Sequence, residues 1–153
     1  METPSFTFRL ERVKSLRERA EEQARERLAR ELTLRVRGQA LLREAAHAAA
    51  AARDTGRSTQ TSGIATGADL IAAQHWIEQA ERGNREAGLA LDRRDAEVAA
   101  RRVALTSAAR DRQVIDRLEQ RQRAEHDREA ARVEQIGLDE IALSVHRRGQ
   151  VAA

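Results

Sequence analysis

LERVKSLRERAEEQARERLAREL, residues 10 to 32, decides the fold. Leu10, Val13, Ala20, Ala24, Leu28 and Leu32 recur within it at steps of three, four and seven, which draws one apolar stripe along a helix. The other positions are almost all charged. Glu21 with Arg25, Glu26 with Arg30, and Glu31 with Arg35 are acid-first pairs four apart, and each supports an exposed helical face by a few tenths of a kcal/mol. From Thr7 to Ala52 there is no proline and only one glycine, Gly38, and residues 45–52 are alanine apart from His47. The pattern predicts a first helix over about 7–54.

Outward from that stretch the pattern breaks. Gly56, Ser58, Thr59, Thr61, Ser62, Gly63, Thr66 and Gly67 crowd into a short segment, where glycine and small hydroxylated residues predict a turn over about 55–66. Gly56 suits a helix C-cap, and Thr66 an N-cap with Asp69 three residues on. A second, longer helix is expected over about 67–148. Leu91, Val98 and Leu105 stand seven apart within it, the spacing of a coiled coil. Ile115 and Leu118 continue that seam, and His146, Arg147 and Arg148 before Gly149 suit its C-terminus. Two long helices joined by a short loop fold back antiparallel, so the expected fold is all-α: a coiled-coil hairpin forming one domain over 1–153, second helix longer. A turn centred near residue 60 sets residue i against roughly residue 120 − i. Leu28 then meets Leu91, Val13 meets Leu105, and residues after Gln113 are left without an intramolecular partner.

Composition agrees with long helices and restricts the chemistry. Of 153 residues, 2% are aromatic and 35% charged, too few bulky apolar groups for a globular core. Lysine and arginine number 28 against 25 acids, net charge is +3, and every basic residue except Lys14 is arginine. Acids and bases interleave, which reads as solvated faces and not as a polyanion-binding block. There is no cysteine, so disulfides and thiolate sites are excluded. No apolar run is long enough to span a bilayer and the start has no secretory pattern, so a soluble intracellular protein is expected. The histidines are His47, His75, His126 and His146, none three or four residues from another. Only His47 and His75 would approach across the turn, and a metal would need further ligands. No cofactor is expected. Carboxylates on a rod lack the cleft that acid–base catalysis requires, so no catalytic residue is assigned and the chain is not expected to be an enzyme.

Three pieces, in order, resemble the FliJ family of the flagellar type III export apparatus. Phe6-Thr-Phe8-Arg9-Leu10-Glu11-Arg12-Val13, followed by Leu16-Arg17-Glu18, resembles that family's short F-x-F-R-L start into a long charged helix. Gly63-Ile64 and then Trp76-Ile77 look like its turn and early second helix. Arg117-Leu118-Glu119-Gln120-Arg121-Gln122-Arg123-Ala124-Glu125, with Leu138-Asp139-Glu140-Ile141-Ala142, resembles its carboxy-terminal segment. The resemblance implies a non-catalytic stalk and adaptor that binds the ring of the export ATPase FliI and the export gate FlhA and escorts export chaperones. Its place would be the cytoplasmic face of the inner membrane at the flagellar base, held there through partners, with no direct contact to nucleic acid. On that basis Leu42, Ala46, Ala49, Trp76, Ala80 and Gly83, brought together by the expected register, form the candidate gate face. Leu138, Ile141 and Val145, on one helical face of the partnerless tail, form the candidate ring face with Phe6, Phe8 and Leu10, and the arginines at 121, 123, 128, 132, 147 and 148 give it cationic reach. On residues alone a generic coiled-coil scaffold and an arginine-rich nucleic-acid binder stay open beside this reading.

Overall fold

The computed structural model describes residues 5–151, with side chains through residue 147. The fold is all-α: α1 spans Glu11–Thr61 and α2 spans Gly67–Val151, packed antiparallel, with the second helix longer. The chain groups into two compact units. One is Glu22–Ser107, and the other joins the chain up to Glu21 to the chain from Ala108 onward.

The boundaries differ from expectation at three places. The amide of Glu11 donates to the Phe8 carbonyl in a turn, so α1 begins at residue 11 and not 7. At its far end α1 runs on to Thr61, well past the expected 54. The serines and threonines there do not leave the helix: Ser58 and Thr59 donate their hydroxyls to the Thr55 carbonyl, Thr61 to those of Arg57 and Ser58, and Ser62 to that of Thr59. Such back-bonding satisfies the hydroxyl locally and lets the helix continue. At the other terminus α2 continues through Gly149 to Val151, since a glycine weakens a helix without having to end it. The side chain of Arg148 lies outside the described residues.

In the unit Glu22–Ser107 the helices are joined by a tight turn. Gly63 holds φ +68°, where a side chain would be strained. Thr66 then opens α2 with a reciprocal capping box. Asp69 N–H donates to Thr66 Oγ1 at 3.3 Å, and Asp69 Oδ2 accepts from the Thr66 amide at 2.8 Å and hydroxyl at 2.7 Å. Close to the turn the interface is made of small residues. Ala49 and Ala52 are buried, and a Cβ on Gly56 would sit 2.6 Å from Ile77 Cδ1. Gly56 is thus a point of close helix approach and not a C-cap. Farther along, Leu91 Cδ1 rests 3.5 Å from where a Cβ on Gly38 would be, and Val98 is buried.

That geometry also corrects the register. Arg35 pairs with Asp95 at 2.5 Å, Arg53 with Glu81 at 2.9 Å and Arg94 with Glu31 at 3.5 Å. Residue i therefore faces roughly residue 130 − i, and Leu91 meets Gly38 and not Leu28. The cause is the longer α1: moving the turn from near 60 to Ser62–Thr66 slides the two antiparallel helices past each other by about three helical turns.

The unit built from the chain termini shows the same offset. Lys14 pairs with Glu119 at 2.8 Å, Arg17 with Asp111 at 3.1 Å and Glu21 with Arg112 at 2.5 Å. Its seam is largely ionic. Glu21 is 4% exposed, and Arg112 bridges it to Asp116. Charge-assisted bonds of this kind satisfy groups that would be costly to bury alone. Val13, expected at the interface opposite Leu105, is instead exposed, because Lys14 and Glu21, seven apart, take the inward positions.

Candidate functional site

A hollow lies beside the turn, around Trp76. It is shallow and open, about 480 Å³, and lined by Thr55, Thr59, Asp69, Ala72, Ala73 and Trp76. Trp76 is 59% exposed, and Ile64, Leu70 and Ile71 in the same segment are also exposed. The Asp69 carboxyl is held below the ordinary carboxylate range, first by the Thr66 hydroxyl and then by its amide.

The six residues of the expected gate face are not gathered into one patch. Trp76, Ala80 and Gly83 follow one another at i, i+4 and i+7 on α2. Across from Trp76, however, stand Thr55 and Thr59, and not Glu44, Leu42 and Ala46. The slipped register is the reason. Ala49 is 2% exposed and serves the helix interface, while Leu42 is half-buried and Ala46 exposed farther along α1. The same offset parts His47 from His75 along the hairpin, and among the described residues no group of three His, Cys, Asp or Glu could hold a metal ion.

In the unit of the chain termini the amino-terminal segment lies on α2. The Phe6 ring meets His126 edge-on at 5.6 Å, and the Arg123 guanidinium stands 5.5 Å over the same ring. Phe8 is 7% exposed and Leu10 half-buried. Phe8 is thus part of the core, and Phe6 is engaged within the chain. These contacts, with Asp116 and Glu119, show that residues after Gln113 do have intramolecular partners. The expectation of a partnerless tail from that point is corrected by the same shift of register.

Farther along α2, Leu138, Ile141 and Val145 are exposed on one face, as their spacing predicted. Val133, Ile136 and Leu143 are exposed as well, nearly opposite. Sequence periodicity did not single these three out, because two apolar faces on one helix cancel in any search for a single stripe. Among the described residues no helix is long and apolar enough to cross a membrane.

Fold and surfaces together define an antiparallel α-helical coiled-coil protein with exposed apolar faces. Within that class the chain belongs to the FliJ family: it matches Flagellar FliJ protein over residues 6–150, nearly its whole length. The family is one of flagellar export components. No curated protein matches the chain, and no solved structure does.

Proposed function

We propose that this protein is a non-catalytic stalk and adaptor of the flagellar type III export apparatus. Family membership over residues 6–150 supports this most strongly. In this reading the chain works at the cytoplasmic face of the inner membrane, held at the flagellar base by its partners. It binds the export ATPase FliI through the exposed stretch of α2 that carries Leu138, Ile141 and Val145, and Val133, Ile136 and Leu143 add a second face. A helix apolar on two sides suits an enclosing socket better than a flat surface. Phe6, Phe8 and Leu10 contribute by fixing the chain beneath this stretch and not by direct docking. The export gate FlhA is met by Trp76, with Ala80 and Gly83 on the same face of α2, and export chaperones are escorted by the same body.

The test follows the corrected register. A chain ending at Ala130 keeps the partners of Lys14, Glu21 and Phe6 and loses the exposed stretch. Gel filtration with the purified ATPase hexamer should show co-elution of the full chain and none of the shortened one. Retained co-elution would move ring binding to the paired helices. For the gate, Trp76→Ala should weaken binding to the gate's cytoplasmic domain with helicity unchanged. Unaltered binding together with a lower unfolding temperature would make Trp76 a packing residue only.

A further inference from the structure

Residues 110–128 of α2 carry a continuous surface of which the sequence reading took up only Arg121 and Arg128, as cations flanking the ring face. Arg110, Val114, Arg117, Arg121, Ala124 and Arg128 follow one another at steps of four, three, four, three and four. All six are exposed. They lie on the side of α2 opposite Arg112, Ile115, Glu119, Gln122 and His126, the positions turned toward α1 and the amino-terminal segment. None of the six positions is acidic, and Glu125 borders the ridge on one side. Among the described residues none of the four arginines enters an ion pair or hydrogen bond, whereas Arg112, two positions from Arg110, is held by Glu21 and Asp116. At 1.5 Å per residue the ridge is roughly 27 Å long.

We infer that this ridge is a docking seam for a partner helix bearing carboxylates at heptad spacing. Alternating steps of three and four are what a second helix reads, since only a packed helix returns to the same face every seven residues, about every 10.5 Å. Guanidinium groups fork onto carboxylates, and Val114 and Ala124 supply the apolar contacts between the charges. The phosphates of a nucleic-acid duplex fit less well. They present a charge about every 1.7 Å of axis, and a straight ridge with two positions per heptad, four of the six arginine and the other two apolar, does not follow that pattern. The seam lies apart from Leu138, Ile141 and Val145 and stands whether or not those residues meet the ATPase.

The test uses the full chain and four labelled probes in fluorescence anisotropy. The first is a four-heptad helical peptide with glutamates alternating at three and four. The others are a scrambled peptide of identical composition, a short DNA duplex, and vesicles containing phosphatidylserine. Binding is expected for the patterned peptide, and at least about ten-fold tighter than for the scrambled one. Replacing all four arginines, Arg110→Gln, Arg117→Gln, Arg121→Gln and Arg128→Gln, should weaken it by about ten-fold or more. The control variant Arg43→Gln, Arg82→Gln, Arg85→Gln, Arg93→Gln removes the same charge from exposed arginines elsewhere and should leave binding intact. Circular dichroism confirms that both variants remain helical. Equal loss in the control, equal affinity for the scrambled peptide, or binding of DNA or vesicles in preference to the patterned peptide would overturn the inference.

Discussion

Single residues here act through size and charge more than through chemistry. Gly56 illustrates size: a Cβ there would meet Ile77 Cδ1 at 2.6 Å. Gly56→Val should destabilise the protein by about 1–3 kcal/mol through overpacking, read from the midpoint of urea unfolding. Gly88 is the contrast, since nothing lies within 4 Å of its added Cβ. Gly88→Ala should therefore raise stability by about 0.5–1 kcal/mol, the helix-propensity difference alone. Glu21 illustrates charge. It is buried against Arg112, and its loss leaves that guanidinium with Asp116 as its remaining partner at the seam. Glu21→Ala should cost about 1–3 kcal/mol, and Glu21→Gln less, because the amide oxygen still accepts the bond.

At the scale of elements, the turn and the start of α2 carry a pH dependence that can be signed. The Asp69 carboxyl is lowered from its ordinary 3.8 by Thr66. A group depressed in the folded state lends stability above its unfolded value and loses that contribution as pH falls through the folded one. Acidification below about pH 4 should fray the first turn of α2, seen as faster amide exchange at Leu70 and Ile71. Thr66→Ala should shrink that acid step, since only the backbone amide then holds the carboxylate, while loosening the turn at neutral pH. The helices themselves were legible in the sequence, as were the Thr66–Asp69 cap, the greater length of α2, and the inward position of Val98. Register was not. Glycine, serine and threonine at 56–62 read as a turn, because propensity does not reveal that each hydroxyl finds a carbonyl within the helix. A seam of Lys14, Glu21, Arg112 and Glu119 is likewise invisible to a search for apolar stripes, and the arginine ridge has no apolar stripe at all. Of the candidate faces, the exposed apolar residues near the end of α2 were foreseen. The six-residue gate patch was not assembled, since it depended on the register.

At the scale of the whole molecule, a chain with hardly any large core residues leaves most of its large apolar groups in water. Only Phe8, Ala49, Ala52 and Val98 are buried apolar residues among those described, while Trp76, Ile71, Ile141 and many others face solvent. That division suits an adaptor, and membership of the FliJ family places it among flagellar export components. The most direct measurement is the rate of ATP hydrolysis by the purified export ATPase, with and without this protein. The intact chain is predicted to raise that rate, and the variant Leu138→Glu, Ile141→Glu, Val145→Glu, helical and monomer-soluble by circular dichroism and gel filtration, is predicted to leave it at the basal level. Full stimulation by the triple variant, or none by the intact chain, would contradict the account.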